Sequence, residues 1–282
     1  MTKPRKIGKV AFFTRADNTQ APIWQKKIET WMKQKFPNVK ITDKDPEAVL
    51  VLGGDGTIME AARKYSNKDT VILGINLGWL GFLASISDPK DFTKELSKFL
   101  NGNFHLNDGM VISADVIRKK KKIFSVRSFN EVAVQNPLGM VDVDVAIEGE
   151  VVQQVRGTGV LVSTPAGSTA YNLSAHGPII APNIDCFVIT ELFDHGLPTP
   201  SLVLPSSEKI TLTVRNFREH KLLKLSSSGE ALDVVLTCDG ALPFVLKKDD
   251  KIEICRGKSS FKMAMLESSS FYKNLKSKFS FK

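Results

Sequence analysis

Cysteine is scarce, with three in 282 residues: Cys186, Cys238 and Cys255. An odd number at wide spacing builds neither a disulfide framework nor a zinc site, and a reducing, cytoplasmic setting is expected. The four histidines form no HExxH-like ligand pair. No long apolar run is present either. The longest, residues 71–86, is broken by Gly74, Asn76, Gly78, Gly81 and Ser85. That stretch is too short and too interrupted for a membrane span, and the basic start lacks the apolar core of a signal peptide. A Walker A loop is missing: Gly257-Lys258-Ser259 ends like one, but its first glycine position holds Ile252. Internal repeats and low-complexity linkers are also absent.

What is present is an ordinary globular composition, with 42% hydrophobic and 24% charged residues, which argues against disorder. The length suits one large or two ordinary domains. Lys and Arg number 39 against 30 Asp and Glu, a formal charge of +9, which favours anionic partners. The run Arg118-Lys119-Lys120-Lys121-Lys122 would attract RNA or acidic lipid, but no aromatic nucleic-acid motif accompanies it. It reads as a solvated hairpin tip, so neither nucleic acid nor membrane is expected as a partner.

The first hundred residues alternate in type. Strands are expected over residues 9–14, 48–52 and 70–75, and helices over 23–36, 57–65 and 88–100. Continuous apolar runs such as AVLVL at 48–52 suit strands buried on both faces of a parallel sheet. Beyond residue 105 the period becomes two: Val141, Val143, Val145 and Ile147 alternate with Asp142, Asp144, Ala146 and Glu148. Further strands are expected at 110–117, 131–135, 210–214, 233–237 and 251–255. The expected organisation is an α/β domain with a parallel sheet (1–104), a mainly β domain (105–256), and a basic tail (257–282) either frayed or packed back on the first domain.

Three segments carry chemistry. Gly53-Gly54-Asp55-Gly56-Thr57 follows a buried strand. Its glycines allow a sharp turn and close backbone approach, and amides at the next helix start suit phosphate. Asp55 could bind Mg²⁺ or accept a proton from a hydroxyl; the plainer reading is a helix N-cap. The second segment, 157–178, reads GTGVLVSTPAGSTAYNLSAHGP. A strand runs into a turn and a helix opening at Ser168, with hydroxyls suited to sugar or phosphate and Tyr171 offering a flat face for a base. The plainer reading is a capped helix. The third is Ser128-Phe129-Asn130-Glu131-Val132, where adjacent Asn and Glu entering a strand would point to opposite faces.

In combination and order these segments resemble the NAD kinase family. The resemblance rests on Gly53–Thr57, the stretch GINLGWLGFL at 74–83, Asn130-Glu131, and residues 163–178, with weaker echoes at Asp194-His195 and Cys238-Asp239-Gly240. It implies a two-domain fold holding NAD, and Mg²⁺-dependent phosphoryl transfer from ATP, or polyphosphate, to the adenosine 2′-hydroxyl. Asp55 would be the general base. Gly54, Asp55 and Gly56 would meet phosphates, and Asn130 and Glu131 ribose hydroxyls. Thr169, Ala170, Tyr171, Asn172, Leu173 and Ser174 would line the pocket, with Phe82 near the adenine and Arg156 and Thr158 as further contacts. No protein metal-ligand set is implied. Homodimers or homotetramers are a property of the family.

The chain departs from the pattern at several points. Gly157-Thr158-Gly159 replaces Gly-Asp-Gly, Ala241 replaces a common Gln, and Ala166 replaces a usual Thr or small residue. His176 replaces a glycine, and Thr199-Pro200 an Arg-Pro. A non-catalytic NAD(P)-binding regulator, a lipid or sugar kinase using the same GGDG turn, and a nucleic-acid-binding protein are the rival readings.

Overall fold

The structure, a computed structural model, describes residues 6–65, 69–78, 81–196, 199–225, 229–240, 244–266 and 270–279. The chain forms two compact units, residues 1–109 with 259–282, and residues 110–258.

In the first unit a six-stranded sheet has the order β2-β1-β3-β4-β18-β5. Its strands are β1 (Lys9–Phe13), β2 (Lys40–Ile41), β3 (Ala48–Leu52), β4 (Val71–Ile75), β5 (His105–Gly109) and β18 (Phe261–Met265). All pairs are parallel except β18 with β5. The sheet is therefore mixed, not purely parallel. All five residues of β3 are fully buried, matching the unbroken apolar run. Each large apolar side chain so buried contributes about 1.5–3 kcal/mol. Helices α1 (Ala21–Lys35) and α3 (Phe92–Leu100) put Ile28, Met32, Leu96 and Phe99 into the sheet's core. Helix α2 (Asp55–Tyr65) follows β3 directly.

The border differs from the expected one at residue 104 because β5 pairs with β18, which joins the sheet beside β4. The segment after residue 258 thus supplies an integral sheet strand, β18, and a helix, α5 (Ser270–Phe279). Local sequence could not show this, since the partners of β18 lie more than 150 residues away.

The second unit is two antiparallel six-stranded sheets on one core. One has the order β10-β9-β14-β17-β6-β7, the other β13-β12-β11-β8-β15-β16. The first comprises β6 (Ile112–Arg118), β7 (Lys121–Ser128), β9 (Val141–Ile147), β10 (Glu150–Gly157), β14 (Ile210–Phe217) and β17 (Lys251–Arg256). The second comprises β8 (Glu131–Gln135), β11 (Gly159–Ser163), β12 (Cys186–Leu192), β13 (Leu202–Pro205), β15 (Val235–Cys238) and β16 (Phe244–Val245). Val141, Val143 and Val145 of β9 meet Val132, Val134, Val160 and Val162 in that core, as period-two burial requires. Asp144 on β9 is buried and ion-paired with Arg215 at 2.6 Å. The basic run turns the β6–β7 hairpin, with Lys119 and Lys120 at positive φ; Arg118 pairs with the buried Asp250 at 2.7 Å. Among the described residues no helix is long and apolar enough to cross a membrane.

Candidate functional site

In the first unit the chemistry gathers where β3 ends. Gly53 is required by packing, since a Cβ there would lie 2.5 Å from the Thr57 hydroxyl oxygen. Gly54 carries the carbonyl that accepts the Thr57 and Ile58 amides, so α2 begins at Asp55, two residues before the expected start. Asp55 does not cap its own helix. Its Oδ2 accepts the Phe82 amide at 2.9 Å and its Oδ1 the Leu83 amide at 3.1 Å. The chain reaches that position by folding back after β4. The Ser85 and Ile86 amides donate to the Gly74 carbonyl, and Ile75 bridges Ile86. A Cβ on Gly81 would sit 2.1 Å from Asp55 Oδ1, so only glycine leaves room for the carboxylate. Asp55 is therefore a half-buried acid fixed by two donors and a glycine wall. A carboxylate has about four acceptor positions, which leaves some open.

Gly54 and Gly56 differ from the other glycines of this turn. A Cβ on either meets nothing within 4 Å, and neither has a left-handed φ. Packing and backbone conformation thus leave both positions open to a side chain, and glycine keeps space beside the backbone.

Phe82 is placed otherwise than expected. Its ring is buried, at 5% exposure, under Phe271 and Phe279 of α5, so in this structure it offers no face to a base. Its amide is the part that reaches the site. Trp79 and Leu80 of the same segment lie outside the described residues, as does Ala241.

In the second unit the site is a turn held by Asp239. That carboxylate accepts the amides of Phe129 (2.9 Å), Asn130 (2.7 Å) and Glu131 (3.2 Å), and lies 2.5 Å from the Ser128 hydroxyl. Asp239 and Gly240 both have positive φ, which the Asp-Gly dipeptide tolerates best. The sequence reading gave Asp239 only as a weak echo; the dipeptide after a strand was the available signal. β8 starts at Glu131, so Asn130 sits in the turn and strand alternation does not govern the pair. The Asn130 Oδ1 is buried and has no hydrogen-bond partner among the described residues, an acceptor awaiting a donor.

The segment after β11 packs on that turn. The Thr164 amide donates to the Asn130 carbonyl at 2.8 Å, and its hydroxyl to the Phe129 carbonyl at 2.6 Å. A Cβ on Gly167 would lie 2.1 Å from the Asn130 carbonyl oxygen, so glycine permits this contact. The expected single helix from Ser168 is instead a 3₁₀ turn (Gly167–Thr169) and one short helix, α4 (Tyr171–Ser174). Ser168 is not a cap: its hydroxyl donates to the Pro165 carbonyl and accepts the Ile180 amide. Asn172 is fully buried, its amide donating to the Ser168 and Pro178 carbonyls and accepting from Thr190. Its side chain holds the turn together.

Tyr171 is half exposed, and its hydroxyl donates to Gln135 Oε1 at 3.1 Å. Burial pushes its phenol above the ordinary value, and the nearby Glu131 carboxylate adds to the shift. Thr169 donates back to the Ala166 carbonyl, Ala170 and Leu173 are half-buried, and Ser174 is exposed. The Thr158 hydroxyl donates to the Leu192 carbonyl at 2.8 Å, and Arg156, on β10, stands exposed 3.6 Å from Asp142. His176 sits at φ 62, a left-handed position that glycine takes more readily. Thr199 hydrogen-bonds Glu191. Among the described residues no three His, Cys, Asp or Glu side chains cluster as a metal site.

Comparison with known proteins finds matches to both parts of the chain. Residues 7–104 match the ATP-NAD kinase N-terminal domain, and residues 130–266 the ATP-NAD kinase C-terminal domain. An NAD kinase of Lachnoclostridium phytofermentans is 34% identical over 255 residues, covering 89% of this chain and 86% of the relative. The crystal structure of yeast NADH kinase complexed with NADH superposes with a TM-score of 0.84 at 20% identity, over 99% of this chain and 89% of that one. An NAD kinase from Archaeoglobus fulgidus in complex with ATP gives 0.74 at 22% identity, over 94% and 96%. The two solved structures establish the fold, and the domain matches with the bacterial identity place the chain in the ATP-NAD kinase family.

Proposed function

We propose that this chain transfers the terminal phosphoryl group of ATP to the adenosine 2′-hydroxyl of NAD, giving NADP and ADP. The observation that carries the reading is the pair of glycines flanking an anchored acid. Gly54 and Gly56 are left open by the fold, as a turn that admits phosphate against its backbone must be. The family, and the relatives named for NADH and ATP, support the same substrates.

Phosphoryl transfer has a loose transition state in most analyses, so positioning and charge neutralisation matter more than base strength. Asp55 would accept the hydroxyl proton late, as the new O–P bond forms and the bond to ADP breaks. Its two amide anchors hold it in one orientation while other lone pairs stay available. Gly54, Asp55 and Gly56 would meet phosphate oxygens. Asn130 Oδ1, buried without a partner among the described residues, would accept a ribose hydroxyl, with Glu131 beside it. Thr169, Ala170, Tyr171, Leu173 and Ser174 would line the dinucleotide pocket, while Asn172 positions them. Arg156 and Thr158 are assigned as outer contacts.

Mg²⁺ would arrive with the triphosphate. A metal held mainly by phosphates needs only one or two protein carboxylates, which suits a site with a single acid on its turn. Asp55 would be the protein group nearest to it, and the ion would supply charge neutralisation when bound. A cytoplasmic homodimer or homotetramer completes the proposal.

The test is purified protein with Mg²⁺ and ATP, supplied with NAD or with NADH, and NADP(H) read out. A polyphosphate arm identifies the donor. Binding of dinucleotide with no product from any donor would replace the kinase by a non-catalytic regulator.

A further inference from the structure

We infer that the C-terminal helix α5 is a positioning element for Asp55, acting through Phe82; this rests on Asp55 being the reacting base. Helix α5 carries Phe271, Asn274, Leu275, Lys278 and Phe279 at the spacing i, i+3, i+4, i+7, i+8, one face of a helix. Asn274 is buried and Phe271, Leu275 and Phe279 are half-buried, whereas Lys278 is exposed, as is Tyr272 at the flank of that face. Phe271 and Phe279 each place their ring centroid 6.1 Å from that of Phe82, the latter stacked at 29°. Lys278 Nζ stands 4.4 Å from the centroid of the same ring, within cation–π range. Phe82 is thus gripped by three side chains of the chain's last helix.

The backbone of the gripped residue holds the acid. The Phe82 amide donates to Asp55 Oδ2 and the Leu83 amide to Oδ1. Ring and amide share one Cα, so packing that fixes the ring restrains the backbone that carries the donor. On the other side Gly81 leaves no slack, since even a Cβ would collide with the carboxylate. The acid therefore sits where residues 81–83 put it, and those residues sit where α5 holds Phe82. Residues 270–279 and Asp55 are far apart in sequence, and no local pattern links them.

The experiment uses the full chain carrying Phe279→Ala, Phe279→Leu or Lys278→Ala. Steady-state kinetics are paired with amide hydrogen exchange at Phe82 and Leu83, with the amides of β3 and β4 as internal reference. Phe279→Ala is expected to lower kcat about tenfold, with KM for NAD within about twofold, because a small misplacement of a reacting group acts on turnover. Exchange at Phe82 and Leu83 rises while β3 and β4 stay protected. Phe279→Leu, which restores apolar contact, recovers most of both. Should Phe279→Ala fail to fold, Lys278→Ala decides, with a smaller rise confined to the same two amides. Unchanged exchange and unchanged kcat overturn the inference. So does a rise shared equally by β3 and β4, which marks general loosening. If exchange responds as expected but the unaltered protein makes no NADP, the kinase reading falls and the coupling of α5 to the Asp55 anchor stands.

Discussion

Asp55 and Asp239 both sit on backbone amides beside a glycine, and they end in opposite conditions. Asp55 in the first unit takes two amides, one on each oxygen. Asp239 in the second takes three amides and lies against the Ser128 hydroxyl. Three donors crowd Asp239 Oδ1 and one meets its Oδ2, whereas each Asp55 oxygen takes a single amide and keeps an acceptor position open. The same device therefore gives a fixed but available acid in one place and a structural clamp in the other. In the proposed reaction the acid held by fewer donors is the one that reacts.

Asp55→Asn should break the comparison most severely. An amide side chain cannot accept on both sides, so one anchor and the proton acceptor are lost together. Turnover is expected to fall about 10²–10⁴-fold, with the dissociation constant for NAD nearly unchanged. Near-normal turnover by that variant rules out the base assignment. Gly81→Ala keeps the acid and moves it, because the new Cβ would overlap Asp55 Oδ1. A displacement near 1 Å predicts a loss of about 10²-fold in kcat with KM little altered.

Asp239→Ala tests the clamp. Leaving partly buried amides unpaired should cost about 2–4 kcal/mol in denaturant unfolding, with a smaller effect on turnover than Asp55→Asn. An equal loss of turnover with no loss of stability would erase the distinction drawn here. Gly54→Ala sharpens it from the other side. Nothing within 4 Å meets the added methyl, so stability should change by less than about 0.5 kcal/mol. KM for the nucleotide should nevertheless rise, since the methyl occupies the space a phosphate would use.

The smallest effect concerns Tyr171. Its folded-state phenol lies above the ordinary value of 10.0, mainly through burial and secondly through Glu131. Above about pH 10 the unfolded chain releases this proton first, so the folded state binds more protons and stability falls as pH rises. Below that range the group contributes no pH dependence. Absorbance titration of the protein against its Tyr171→Phe variant isolates this phenol, and a midpoint at or below 10 contradicts the placement.

Local sequence suffices for β3, the GGDG turn, the period-two strands of the second unit and the ordered set of segments shared with the NAD kinase family. These are local: five consecutive apolar residues bury on both faces of a sheet whatever lies elsewhere, and glycines mark a turn by what they lack. It also singled out Asp55 between its glycines, while Asn130 and Glu131, a common pair by themselves, gained a role through the resemblance to that family. What those groups touch emerges from the folded chain alone. Phe82 became a ring under α5 and an amide on Asp55, Asn172 became an interior brace, and Asp239 became the clamp of the Asn130 turn. Strand β18 likewise joined a sheet whose other members precede it by more than 150 residues. Such contacts join residues far apart along the chain, and a hydrogen bond depends on where two groups meet in space, which local spacing does not encode.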